Sequence, residues 1–303
     1  MAYYVQFNWY HNINIQPLLR MKICQYNIYF GQHPGVSIVD RMKDVCQCIL
    51  EQDADIVCLQ EVLFSMYENI IDMLSPTYPY VYPDSITTTY DTMILSRYPI
   101  ASATTYKFEF TTMGRNIRLV NITDHYNNSY YLCTIHFESE FKDGCKKKIY
   151  QYNKCADILC QLYQNTGIPV IMCADTNICT VSQHSFDEAF NYQSKGWRDA
   201  WIENDHDINQ ELTFDANTNP ILLERYSKMN NASKSRYSSR LDRIIHLSDM
   251  HTTDFKLFGT EQDKILSDHY GVCCTMSNTK PVNRESYVSN IVPKPKIITK
   301  KLF

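Results

Sequence analysis

Nine side chains suited to metal, proton or phosphate chemistry stand at or beside the ends of short apolar runs. Asn27 closes I-C-Q-Y-N, Glu61 closes D-I-V-C-L-Q-E, and His136 and Glu138 close L-C-T-I-H-F-E-S. Asp175 and Asn177 close V-I-M-C-A-D-T-N, Asp242 lies in S-R-L-D-R-I-I, and Asp268 and His269 lie in L-S-D-H-Y-G-V. Carboxylate and amide oxygens suit a hard divalent cation. Imidazole and carboxylate together suit proton transfer and its orientation. Any one of these residues also reads as a cap or turn. Six groups in order, each delivered by its own apolar run, read as a shared site at one edge of a sheet.

The elements that must position them follow from periodicity. Strands are expected at Met21–Ile28, Asp55–Gln60 and Pro169–Ala174, and several more between Thr92 and Ile135. Ile38, Met42, Val45, Cys46, Ile49 and Leu50 share one face of a helix over Ile38–Gln52. Further helices are expected over Phe64–Leu74 and Lys147–Asn165. A polar stretch with little pattern follows, until strand-like runs at Leu241–His246 and Tyr270–Met276. Strands alternating with helices, with no internal repeat, make one α/β domain.

Composition fits that reading. The chain has 303 residues, 44% of them hydrophobic and 20% charged, which suits a globular protein able to bury a large core. No window approaches the roughly 20 apolar residues of a membrane span, and Met1–Arg20 lacks the apolar core of a signal peptide. The twelve cysteines form no Cys-x-x-Cys pair. Several lie inside apolar runs, so reduced, buried thiols and an intracellular protein are expected, with nucleus and cytoplasm undistinguished. Residues 280–303 carry six basic residues against one acid, leaving 23 against 32 on the body. We therefore divide the chain into an N-terminal extension (1–20), a catalytic domain (21–279) and a basic, disordered tail (280–303).

Taken in order, N27, Q60-E61, H136-F-E-S139, D175-T-N177, R240-L-D-R243 and S267-D-H269 resemble the endonuclease/exonuclease/phosphatase family of metal-dependent phosphoesterases, over about residues 20 to 277. The resemblance implies a four-layer α/β/β/α sandwich with its site at one edge of two sheets. T-T-M-G-R-N at 111–116, T-I-H-F-E-S at 134–139, A-D-T-N at 174–177, L-T-F-D-A-N-T-N at 212–219 and R-L-D-R-I-I at 240–245 are similar to its tyrosyl-DNA phosphodiesterase 2 branch. Three positions depart from that branch: Ala174 stands for Gly, Cys179 for Arg, and Phe214 for Trp.

The resemblance implies Mg²⁺, with Mn²⁺ as a substitute, held by Glu61, Asn27 and Asp268. Asp175 is expected to deprotonate the attacking water with help from Asn177. His136 and His269 are expected to donate to phosphate oxygens, and Asp242 to orient His269. Phe214, Ser139 and Arg240 are assigned to substrate binding, Phe214 as an aromatic face for a base. The implied substrate is a DNA end carrying a 5′-phosphotyrosyl adduct, processed by a monomer away from membranes. Other family activities remain open: abasic-site endonuclease, phosphoinositide phosphatase or sphingomyelinase. An inactive binding scaffold is also open, although the complete site set argues against it. Glu138 reads equally as a salt-bridge partner. Ser139 reads also as a strand-end hydrogen bonder, since no nucleophile elbow surrounds it. The basic run Arg225–Arg243, with Tyr226 and Tyr237, has the composition of a nucleic-acid groove.

Overall fold

The structure is a computed structural model that describes residues 20–139, 144–178, 195–205, 207–229 and 236–278. In chain order its elements begin with β1 (Arg20–Asn27), α1 (Ile38–Leu50), β2 (Ile56–Leu63), α2 (Phe64–Leu74), β3 (Tyr80–Tyr82) and β4 (Tyr90–Ser96). There follow β5 (Ile100–Lys107), β6 (Asn116–Thr123), β7 (Ser129–His136), α3 (Gly144–Thr166) and β8 (Val170–Asp175). The last part holds β9 (Arg198–Asp199), α4 (Ala200–Glu203), β10 (Phe214–Asp215), α5 (Pro220–Lys228), β11 (Ser238–Ser239), β12 (Asp242–Leu247), β13 (His251–Phe258) and β14 (Gly271–Ser277).

Two six-stranded sheets result, ordered β13-β14-β1-β2-β4-β3 and β5-β6-β7-β8-β12-β9. The period-2 alternation of strand side chains builds the layers. Tyr26, Val57 and Leu59 point to the side covered by α1 and α2, while Ile23, Ile56 and Cys58 point to the other sheet. From the second sheet Ile171, Cys173 and Ile244 meet them, and Val170, Met172 and Ile245 face α3. The chain is thus an α/β/β/α sandwich, as its motifs imply. Both central strands β8 and β12 are buried along their whole length, which is why they read as continuous apolar runs.

Helix α1 begins at Ser37, whose side chain accepts from the Asp40 amide, and its buried face carries the apolar set read from the sequence. Its departure is Arg41, only 1% exposed. Besides β9, α4 and a short 3-10 turn at Ile208–Gln210, three features after β8 lay outside the sequence reading. One is α5, capped by Asn219 with a proline in its first turn. Another is the edge strand β13, and the third is the β10–β11 pair. Among the described residues no helix is long and apolar enough to cross a membrane. Residues 1–19 of the extension, the tail and Cys179 lie outside the described residues, while Arg20 already belongs to β1.

Candidate active site

Strand register gathers the predicted residues at one edge. Asn27 pairs with Gln60 across β1 and β2. His136 pairs with Asp175 across the parallel strands β7 and β8. Asp175 in turn pairs with Asp242 across the antiparallel strands β8 and β12. Glu61 sits in a bulge: the β2–β4 register shifts between Leu59 and Val62, and Glu61 has φ +61°. A bulge re-aims a side chain that regular pleating would send elsewhere.

A polar seam runs between the sheets beneath the site. Gln25 Nε2 donates to Gln60 Oε1 (2.9 Å) and to Asp242 Oδ1 (2.7 Å), and Gln60 Nε2 donates to Thr134 Oγ1 (2.9 Å). In an otherwise apolar layer this chain of bonds fixes the height of both sheets' site residues.

Asp175 is the hub. Its Oδ1 accepts from the Asn177 amide (3.0 Å), and its Oδ2 accepts from Asn27 Nδ2 (2.9 Å). His136 Nε2 lies 3.2 Å from the same Oδ2, and His269 Nε2 lies 3.9 Å from it. The His269 separation exceeds a hydrogen bond. Asn177, with φ +48°, is held by a bond from Nδ2 to the Phe137 carbonyl (3.1 Å).

The two histidines differ in charge. His269 Nδ1 is 2.7 Å from Asp242 Oδ2. Burial would lower its pKa, but the carboxylates of Asp242 and Asp175 outweigh burial and raise it well above the ordinary value. His136 is driven down to about 3, by burial first and then by the charge of Arg115. Arg115 Nη1 donates to His136 Nδ1 (2.9 Å), and its guanidinium lies 5.3 Å from the Tyr90 ring centroid. His136 Nε2 lies 3.2 Å from Asp175 Oδ2 and 3.3 Å from Arg115 Nη2, so the buried ring packs between the guanidinium and Asp175.

Glu61 and Asp268 bring two carboxylates together, with Arg225 Nη2 2.9 Å from Asp268 Oδ2. Burial, then the charge of Asp268, pushes Glu61 up to about 7. Glu61 Oε2 accepts from the Phe30 amide (2.9 Å) and Oε1 from Asn27 Nδ2 (3.2 Å). Two mutually repelling carboxylates at a buried edge fit a hard divalent cation. Asn27 differs from its expected part as a ligand. Its amide nitrogen faces the carboxylates while its Oδ1 accepts from the Tyr29 amide (3.1 Å), so it orients Glu61 and Asp175. The donors of Asp175, Asp242 and His269 also lie within 4.8 Å of one another. The short Asp242–His269 hydrogen bond occupies that trio, and a protonated imidazole is no metal ligand.

Beside the hub opens a cleft of about 440 Å³ whose lining includes Ser139, Asn177, Phe214, Arg225, Tyr237 and His269. The Phe214 ring lies 5.2 Å from that of His269 and 5.8 Å from that of Tyr237. Phe214 and Ser139 are therefore where substrate binding was expected; Arg240 is not. It is 4% exposed, with Nη1 2.7 Å from Asp199 Oδ2 and its guanidinium 4.6 Å from the Trp201 ring. Carboxylate and indole draw it inward into a structural role. Glu138 is neither salt bridge nor site. It accepts from the Thr111 hydroxyl (2.6 Å) and from the amides of Thr112 (2.7 Å) and Met113 (3.1 Å), anchoring the loop before Arg115. Arg115 and Gln25 went unassigned by sequence reasoning, and of the two only Arg115 carried a signal, its place in T-T-M-G-R-N. Arg225, which opens the basic run with the composition of a nucleic-acid groove, lines the cleft.

A model of the Endonuclease/Exonuclease/phosphatase family matches residues 24–269. Among solved structures the chain is similar to TDP2 from Caenorhabditis elegans, at 23% identity and TM-score 0.71, covering 85% of this chain and 75% of that one. It is also similar to Danio rerio TDP2 complexed with single strand DNA product, at 21% identity and TM-score 0.68, covering 85% and 98%. A Bacteroides thetaiotaomicron mannosyl-6-phosphatase shares 14% identity at TM-score 0.63, covering 84% and 99%. Comparison with curated protein sequences gives no match.

Proposed function

This chain belongs to the endonuclease/exonuclease/phosphatase family, and we propose that within it the protein hydrolyses a phosphodiester at DNA ends, with a 5′-phosphotyrosyl end as substrate and Mg²⁺ as metal. The observation that carries the reading is the junction of the Asp175 hub with an aromatic-lined cleft, reached through His269 and Phe214. Carboxylate, protonated imidazole and aromatic face meet there, as attack on a phosphate beside a base or a phenol ring requires.

Glu61 and Asp268 would hold the ion, which when bound neutralises phosphate charge and favours departure of the tyrosyl oxygen. Asp175 takes the proton of the attacking water. Its orientation is set by the Asn177 amide, by Asn27 and by neutral His136. The water oxygen forms the new bond to phosphorus, and the bond to the tyrosyl oxygen breaks, leaving a 5′-phosphate. Asp242 keeps His269 protonated through Nδ1, so that Nε2–H can donate to a phosphate oxygen as charge builds on it. Phe214 offers its ring to a neighbouring base.

The test is a substrate panel with purified protein and Mg²⁺: a 5′-phosphotyrosyl oligonucleotide, an abasic duplex, a phosphoinositide and sphingomyelin. The tyrosyl oligonucleotide is expected to react fastest, and Glu61→Gln or excess EDTA to abolish its cleavage. Faster turnover of any other panel member defeats the tyrosyl assignment. Full activity in EDTA defeats the metal assignment.

A further inference from the structure

Most arginines near the site are committed elsewhere. Arg41 is 1% exposed and donates to four backbone carbonyls, Arg115 is 6% exposed on His136, and Arg240 is 4% exposed on Asp199. Arg225 differs. Its side chain is 37% exposed, and it is the one Lys or Arg among the described residues that line the cleft. Its Nη2 lies 2.9 Å from Asp268 Oδ2 and 3.2 Å from the Tyr29 hydroxyl, and its guanidinium is 5.5 Å from the Tyr29 ring centroid. Only that one nitrogen of the fork is engaged among the described residues.

Helix α5, which carries this fork, is anchored at its start and at its middle. Asn219 caps the helix and donates through Nδ2 to the Ser267 carbonyl (2.9 Å), which ties the helix start to the segment carrying Asp268 and His269. Glu224, one residue before Arg225, pairs with His33 (2.5 Å) and with Lys228, fastening the helix to the segment that follows Asn27. A guanidinium so placed offers a planar set of donors matched to phosphate oxygens. Its present partner, Asp268, is a carboxylate for which a divalent cation competes.

We propose that Arg225 is a phosphate-binding residue of the cleft, able to turn its fork from Asp268 to a nucleic-acid backbone phosphate when substrate enters. The proposal rests on the DNA-end reading and adds to it the residue that supplies the cleft's backbone contact. No covalent step is involved: one ion pair replaces another. The role matters because the body carries 32 acids against 23 basic residues, and an anionic strand approaching it needs a local cation.

The test is fluorescence anisotropy of the full chain with a 5′-phosphorylated, 3′-fluorescein single-stranded oligonucleotide in Mg²⁺, titrated across salt. Such an oligonucleotide is the product of the proposed reaction, so binding is read without turnover. Arg225→Gln is expected to weaken binding roughly tenfold at low salt and to reduce the slope of log Kd against log salt by about 0.7, the share of one single-strand phosphate contact. Arg225→Lys, which keeps the charge but loses the fork, is expected to retain the slope with part of the affinity lost. An unchanged slope in Arg225→Gln, whatever the affinity, overturns the proposal, because a residue that merely positions Asp268 leaves the slope alone. If the wild type itself shows no salt-dependent binding, the DNA-end reading fails and this proposal with it. The wild-type titration and the variant titration thus separate the two failures.

Discussion

Replacing Asp242 by Asn exchanges one oxygen for an amide nitrogen at the point where both sheets meet the site. Asp242 is 1% exposed, and both of its close partners are donors: His269 Nδ1 at 2.7 Å from Oδ2, and Gln25 Nε2 at 2.7 Å from Oδ1. A carboxylate accepts from both, whereas an amide accepts at one atom only. If the new oxygen faces Gln25, the amide nitrogen meets His269 Nδ1 and forces a neutral ring. If it faces His269, Gln25 must flip, and the flip propagates through Gln60 to Thr134 along the seam. Either way the negative charge that favours protonated His269 is lost. Hydrogen bonds to charged groups contribute about 1.5–3 kcal/mol, which translates to a roughly 10- to 150-fold fall in kcat. The assay is steady-state cleavage of the 5′-phosphotyrosyl oligonucleotide, with a thermal melt to confirm folding. A folded Asp242→Asn variant whose kcat stays within about threefold of wild type, below the low end of that range, would refute the reasoning about His269.

Phe214→Ala should lower cleavage of the oligonucleotide by roughly 5- to 150-fold, the worth of one stacked base, and leave a small chromogenic phosphodiester nearly untouched; equal losses on both would remove Phe214 from base contact. Arg41→Met deprives the carbonyls of Ile28, Tyr29, Gly31 and Leu266 of their donor and should cost about 3 kcal/mol or more, so chemical denaturation showing a loss under about 1 kcal/mol contradicts the packing account. Burial alone would raise the Glu203 pKa, but hydrogen bonds from His246 and the Thr252 amide, with Arg198 alongside, hold it down to about 2. Because the folded pKa is depressed, its stabilisation, about 2 kcal/mol after allowance for screening, is full above the ordinary carboxylate pKa near 4.5. It is lost as pH falls through 2. Glu203→Gln should therefore be less stable than wild type at neutral pH and converge with it in strong acid, and a gap independent of pH would count against this assignment.

Much of the fold was legible because burial and periodicity coincide. The helix over Phe64–Leu74 buries Met66, Tyr67, Ile70 and Leu74 at helical spacing, and β8 and β12 are apolar because both their faces are covered. β13 was hidden because it is an edge strand with a bulge between Thr252 and Asp254, and its burial does not alternate. α5 buries only Ile221 and Leu222, too few for a pattern, although an Asn-Pro start is a readable helix signal. At the site, strand-end residues were visible because each closes its own apolar run. Gln25 and Arg115 were not, since one bridges sheets and the other meets His136 across 21 residues of sequence. The charge of His136 was likewise unreadable without Arg115. The same holds for the inward turn of Arg240, which depends on Asp199, 41 residues away.

The central claim is that Asp175, held by Asn27, Asn177 and His136, deprotonates the water that cleaves a 5′-tyrosyl DNA end. The measurement that tests it most directly is single-turnover cleavage of a 5′-phosphotyrosyl oligonucleotide in Mg²⁺ by wild type and Asp175→Asn, with oligonucleotide binding measured on the same preparations. The account predicts that wild type leaves a 5′-phosphate, and that Asp175→Asn binds the oligonucleotide yet reacts at least about 100-fold more slowly, the low end of a general base's contribution. A folded Asp175→Asn variant that cleaves within about tenfold of wild type, well inside that contribution, would contradict it.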